Sequence, residues 1–433
     1  MRVTCCVLLT AVVLAPNAVS VGAARPDLPV VDGLPTADPE AVGISAARLV
    51  RLDKVMKDYV DRKEVAGVVS LVARRGKVVH LSTHGHRDRE AGKPMTYDAI
   101  FRIASMTKPV ASVALMMLYE EGRFQLKDPI TKWLPEFADM KVAMPATYQE
   151  LGRGRYKTVS ANRPITVQQL LTHTAGLANT YRGITKPEFD EIAPQRTPGD
   201  TVGDLVKRLA KVPLNFEPGE QWEYGVATDL VGRLVEVMSG QRFDVFLRER
   251  IFAPLKMTDT HFYLPSAKLD RFVALYRPAE RQKLELLEGP TADSRFVREP
   301  HSYFSGAGGL VSTARDYFRF CQMMLNGGEL DGVRLLGRKT VELMTVNHTG
   351  DLDVWLVGPG HGFGLGWAVV LDPGKVALPY SAGSYFWWGA FNTTFWIDPE
   401  EQLIGILLTQ LRPYNHLNIR QDLVTLAYQA LID

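Results

Sequence analysis

Apolar positions fall into two rhythms along this chain. Near the start, AARLVRLDKVMKDYVDRK reads as a helix, and VAGVVSLVA and VVHLSTHG follow as two apolar, β-branched runs around RRGK. Two such runs about a Gly-containing turn predict a β-hairpin. The chain end mirrors this: TTFWI, DPEEQ and LIGILLTQ predict a second hairpin. NIRQDLVTLAYQALID then carries Leu423, Leu426, Ala427, Ala430 and Leu431 at helical spacing. Between about 101 and 260 helical patterns dominate, separated by Pro- and Gly-rich loops. The expected fold class is α/β (α+β): an antiparallel sheet built from both chain ends and flanked by helices, with a mostly helical region inserted. Internal repeats and low-complexity arrays are missing from the sequence, which excludes a solenoid.

The first two dozen residues break both rhythms. Arg2 precedes VTCCVLLTAVVLA and then NAVSVGAA, the charged start, short apolar core and small residues of a secretory signal. Residues 1–24 are therefore expected to be a signal peptide and 25–44 a linker. Residues 45–433 should form a single domain, with sheet from about 45–100 and 300–433 and the helical region at about 101–260. The apolar run is too short to span a bilayer comfortably, so the expected location is periplasmic or secreted, with no stable membrane span in the mature chain. Cys5 and Cys6 fall in the leader, leaving Cys321 in DYFRFCQMMLNGG as a core residue without a disulfide partner. Lys plus Arg number 50 against 48 Asp plus Glu, and without a basic block a nucleic-acid partner is not indicated.

Candidate chemistry starts at FRIASMTKPV, residues 101–110, where an extended-looking run becomes helical. Ser105 and Lys108 are three apart and so share a helix face, within reach of one another. Pro109 suits the first turn of a helix, which puts Ser105 at the positive end of the helix dipole. An amine that takes a nucleophile's proton needs a third group to pass a proton to the leaving group. Tyr224 is the candidate, on a loop after Pro218 and Gly219 and just before a helix striped with Ala227, Leu230, Val231, Leu234 and Met238 and closed by Gly240.

FRIASMTKPV, LLTHTAGL at 170–177, PGEQWEYGVATDLVG around Tyr224, IFAPLKMTDTHFYLP at 251–265, GAGGLVSTARDYFRF at 306–320 and WWGAFNTTFWIDP at 387–399 occur in this order. Together they resemble the β-lactamase/penicillin-binding-protein group of serine hydrolases, most of all the family VIII carboxylesterases related to class C β-lactamases. The resemblance runs from about residue 45 to the C-terminus and implies a β-lactamase-like catalytic domain. It assigns Ser105 as the acyl-accepting nucleophile, Lys108 as its activating base and Tyr224 as the proton shuttle. Its third block, usually Trp-Gly-Gly in the esterases, falls on Trp387, Trp388 and Gly389, with Ala390 supplying an oxyanion N–H beside that of Ser105. A small-molecule ester is the implied partner and no cofactor or metal is called for. Lys108, neutralised by burial, and an ionised Tyr224 both fit as the acylation base.

Two departures from the β-lactamase pattern point to neutral esters. Val226 stands where β-lactamases carry an asparagine and cannot hydrogen-bond an acylamino side chain. Trp387 stands where they carry a lysine, so a β-lactam's carboxylate would lose its cation. Trp388 replaces the usual first glycine of the esterase block. Tyr181, Trp387, Trp388 and Trp396 are expected as pocket walls. A β-lactamase, a D-amino-acid peptidase and an acyltransferase share the same trio and remain alternatives, as does a non-catalytic penicillin sensor, which would have no use for all three residues. His80, His84 and His86 alternate on a strand, but no HExxH, Cys pair or carboxylate spacing accompanies them to mark a metal site. Gly-x-Ser-x-Gly is missing, which excludes a nucleophile elbow. His173 is expected to order its loop.

Overall fold

The computed structural model describes residues 34–145, 156–193, 197–279 and 283–433. The expected signal peptide lies outside these, as does the first half of the linker.

Both expected hairpins form, and both belong to one sheet. The first pairs β1 (Gly67–Arg74) with β2 (Lys77–Asp88), which continues into the short edge strand β3 (Lys93–Pro94). From the other chain end come β4 (His361–Phe363), β5 (Ala368–Val370), β6 (Tyr385–Gly389), β7 (Thr393–Asp398) and β8 (Leu403–Leu408). The order is β4-β5-β6-β7-β8-β1-β2-β3, with every neighbour antiparallel. Pairing of β1 with β8, Val69 opposite Leu408 through Arg74 opposite Leu403, joins the two ends of the chain. The central strands are buried throughout, because helices cover both faces.

On one face lie α1 (Ala46–Asp61), capped by Ser45, and α5 (Ile419–Tyr428). Their apolar stripes turn inward with Leu49, Leu52, Met56, Leu423 and Ala427 fully buried, and Tyr59 Oη donates to Asp422 across 2.6 Å to tie the helices together. On the other face lie α2 (Thr107–Glu120), α3 (Ala227–Ser239) and α4 (Ala314–Leu325). Helix α2 is buried from Thr107 to Leu118, so it reads as apolar on all sides. Cys321 is fully buried in α4, as its apolar setting suggested.

The inserted region is mostly helical but not wholly so. Lys141–Met144 pairs with Lys157–Ser160, and beyond it Leu275–Ala279 pairs with Lys283–Glu288; neither hairpin was expected from the pattern. Their strands are short and largely exposed, so they lack the continuous apolar runs that marked β1 and β8.

Candidate active site

Ser105 sits on a single 3-10 turn, Ala104–Met106, that feeds directly into α2 at Thr107. Phe101–Arg102, just before it, pairs with Val311–Ser312. Ala104 takes φ = 44°, a left-handed conformation that costs an L-residue about 1–2 kcal/mol. Its surroundings hold it there: Tyr317 Oη donates to the Met106 carbonyl at 2.9 Å, and the Leu310 N–H donates to Thr107 Oγ1 at 3.1 Å. The bend presents Ser105 half-buried at the helix start, with its backbone N–H outside the hydrogen-bond ladder.

One turn on, Lys108 is buried, and its Nζ lies 3.2 Å from Ser105 Oγ and 2.7 Å from the Ala307 carbonyl. Burial pushes the amine down to about 8, opposed by the charges of Tyr181 and Asp229. Tyr224 approaches from the segment before α3, its ring centroid 4.6 Å from Lys108 Nζ and its oxygen in hydrogen-bonding range of Ser105. Burial raises the phenol's pKa; the hydrogen bonds from Ser105 and Trp387 act in the opposite direction. Chain segments far apart in sequence thus bring Ser105, Lys108 and Tyr224 together.

The WWGA block closes the site from the sheet. Strand alternation turns Trp387 toward α2 and α3, where its indole N–H donates to Tyr224 Oη at 3.3 Å. Gly389 ends β6 against the turn before Ser105: a Cβ there would overlap the Ile103 carbonyl oxygen and Thr393 Oγ1, so only glycine allows this approach. Ala390 follows, packed beside Ala104, and its N–H makes no hydrogen bond among the described residues. Two unsatisfied N–H groups, those of Ser105 and Ala390, therefore flank the same turn. Trp388 faces the other way with Phe386; its half-buried ring stacks on Trp387 at 4.6 Å and lies under the Arg420 guanidinium.

Trp396 is not a pocket wall. It pairs across from Phe386, lies over Gly405 and packs against Tyr380 and Tyr428 beneath α5, on the sheet face opposite Ser105. Period-two alternation sends neighbouring aromatic residues to opposite faces, and the sequence does not label which face holds the site. Tyr181 is half exposed, its ring 5.6 Å from Tyr224, at the mouth. His173 takes φ = 57° and its carbonyl accepts from the Glu223 N–H at 2.8 Å, so it orders the approach to Tyr224 as expected. Its buried ring packs 5.0 Å from Tyr224, and burial drives its pKa well below the usual value. His80 is engaged by Ser70 at 2.8 Å and His84 by Asp53 at 2.9 Å. Val226, Gly308, Phe262, Tyr263, Phe296 and Tyr303 are among the residues lining a cavity of about 600 Å³.

Sequence reasoning missed Asp229. It is 4 % exposed and accepts from Ser305 Oγ at 2.7 Å and from the Ala307 N–H at 3.1 Å. An acidic residue in a first helical turn ordinarily complements the dipole from the surface, so nothing in its position announced burial.

The family model described as Beta-lactamase matches residues 52–429. Protein Rv1367c of Mycobacterium tuberculosis is 36% identical over 369 residues, covering 83% of this chain and 89% of the relative. Esterase EstB of Burkholderia gladioli is 31% identical over 392 residues, covering 86% and 93%. Among solved structures, EstCE1, a hydrolase with promiscuous acyltransferase activity, superposes with a TM-score of 0.74 at 24% identity, over 88% of this chain and 98% of that one.

Proposed function

The chain belongs to the Beta-lactamase family, with the fold of its serine hydrolases and with esterases among its relatives, and from this premise we propose that it cleaves carboxylic esters through an acyl-enzyme on Ser105. The observation that carries the reading is the buried Lys108 amine 3.2 Å from Ser105 Oγ. With its pKa pushed down to about 8, about one amine in ten is neutral at pH 7 and has a lone pair for the serine proton. Tyr224 is raised by burial and rests protonated, which favours Lys108 over a tyrosinate as the acylation base.

Ser105 Oγ bonds to the ester carbonyl carbon while its proton passes to Lys108 Nζ. The N–H groups of Ser105 and Ala390 hold the resulting oxyanion. When the C–O bond breaks, the leaving alkoxide takes a proton from Tyr224 Oη, which recovers one from the Lys108 ammonium. Water then attacks the acyl carbon, its proton passing through Tyr224 and Lys108 to Ser105 Oγ as the acyl–Ser105 bond breaks and the carboxylic acid leaves. Val226 and Trp387 favour a neutral ester over a β-lactam, since neither offers the polar or cationic contact that ring system needs.

Hydrolysis of a short-chain p-nitrophenyl ester beside a chromogenic cephalosporin, with Ser105→Ala as control, tests this reading. Fast ester turnover, little β-lactam turnover and a folded, inactive Ser105→Ala are expected. Wild-type-like turnover by Ser105→Ala would sink the mechanism.

Acyl transfer to an alcohol is the second reading, supported by the aromatic rings of Trp222, Tyr181 and Trp387 packed around Tyr224, an apolar surface that suits an organic alcohol. Ester exchange products in the presence of an added alcohol would reveal it. Export is also part of the proposal, supported by the sequence pattern of residues 1–24; the N-terminal sequence of the protein purified from its own host checks it.

A further inference from the structure

Three residues outside the Ser-Lys-Tyr trio, Ser305, Ala307 and Asp229, form a short relay to Lys108. The segment Ser305–Gly308 arches between α2 and α3, so close that a Cβ on Gly306 would overlap the Thr228 carbonyl oxygen. At the arch's centre both main-chain groups of Ala307 are engaged: its carbonyl accepts from Lys108 Nζ at 2.7 Å, and its N–H, in the preceding peptide plane, donates to Asp229 Oδ1 at 3.1 Å. Ser305 Oγ donates to the same carboxylate oxygen at 2.7 Å.

We propose that Asp229 is a positioning residue for acyl transfer: it pins the Ser305–Ala307 arch so that the Ala307 carbonyl holds the Lys108 amine against Ser105. The chemistry explains why the amine needs such a hold. A neutral amine has one lone pair and two N–H bonds, and the lone pair reaches the Ser105 proton only when an N–H is committed elsewhere. A backbone carbonyl is a suitable anchor because it accepts and never competes for the serine proton. The carbonyl is placed only as well as the residue that carries it, and Asp229 fixes Ala307 through the adjoining peptide's N–H.

Asp229 also acts through space. Its carboxylate opposes the loss of the Lys108 proton, whereas burial promotes it. The other titratable groups around Lys108 are Ser105 on its own turn, Tyr224 before α3, Tyr181 at the mouth and His173, whose pKa lies well below neutrality. The geometric and electrostatic roles separate by substitution, since Asn retains a carbonyl oxygen for the arch but carries no charge.

The kinetic half of the test rests on the ester-hydrolase reading, and the spectroscopic half does not. In Asp229→Asn, the pH midpoint of kcat/KM for a p-nitrophenyl ester and the ¹³C NMR titration of the Lys108 side chain should both move to lower pH, with plateau kcat within about threefold of wild type. In Asp229→Ala, kcat should fall at least about tenfold with KM nearly unchanged, because orientation and not substrate binding is lost. Ser305→Ala, which removes one of the two arch bonds, should fall between them and guards against misfolding in Asp229→Ala. An unmoved or upward Lys108 titration in folded Asp229→Asn overturns the electrostatic role. Wild-type plateau kcat in folded Asp229→Ala overturns the positioning role. If the wild-type protein turns over no ester, the functional reading fails, and the shift of the Lys108 titration still decides whether Asp229 governs that amine.

Discussion

The indole N–H of Trp387 donates to the phenol oxygen of Tyr224 across 3.3 Å. A residue standing where β-lactamases carry a lysine is thereby joined to the group that, in the proposed mechanism, passes the proton to the leaving group. The bond stabilises negative charge on that oxygen as the proton departs and restrains the phenol's rotation. Trp387→Phe keeps an aromatic ring against Phe363 and Tyr224 but removes the donor. Steady-state kinetics on a p-nitrophenyl ester should show kcat about tenfold lower with KM within about twofold, the pattern of an interaction made in the transition state.

Activity should rise with pH through the value of the buried lysine. In the proposed mechanism the reactive form is neutral Lys108, and burial, which pushes the amine down to about 8, leaves that form scarce at acid pH. The sign follows: log kcat/KM climbs with unit slope below about pH 7 and levels above about pH 8. A flat profile from pH 6 to pH 9 would mean that Lys108 is not the group losing the proton.

Gly389→Ala should be costly out of proportion to one methyl group. The added carbon meets the Ile103 carbonyl oxygen, which is rigid backbone, so β6 and the Ser105 turn must separate. Overpacking of this kind costs about 1–3 kcal/mol, measurable by urea unfolding. The displacement also moves the Ala390 N–H from the turn. A fall in kcat should therefore exceed any change in KM.

Cys321 should behave as an inert core residue. It is fully buried in α4, and burial raises its thiol pKa well above the ordinary value. The native protein should not react with a thiol-specific disulfide reagent until it is unfolded. Cys321→Ser should leave activity nearly unchanged while costing about 1–2 kcal/mol of stability from an added buried hydroxyl. Strong inactivation of a folded Cys321→Ser would expose a role for the thiol.

The sequence by itself determined the sheet and the helices that cover it. The β-branched runs of β1, β2, β7 and β8, and the helical spacings of α1, α3 and α5, are local patterns that burial in the fold largely follows, although Leu426 and Leu431 are only half-buried and α5 ends at Tyr428. Ser105 and Lys108 were legible for the same reason, since a three-residue spacing at a helix start is a local geometry. Tyr224 and the WWGA block were legible only through their ordered resemblance to a family, because no local rule brings position 224 to position 105.

Only the tertiary structure decided which side of the sheet each tryptophan serves. Trp387 and Trp396 are both aromatic residues on neighbouring strands, yet one meets Tyr224 and the other meets Tyr428. The difference is a matter of register, and a one-residue change in register would exchange them. Asp229 was hidden in the same way. Its burial depends on the Ser305–Ala307 arch, a segment more than seventy residues downstream. Sequence pattern reports what a residue does to its own helix or strand; a buried charge is set by what arrives from elsewhere, and only packing brings it there.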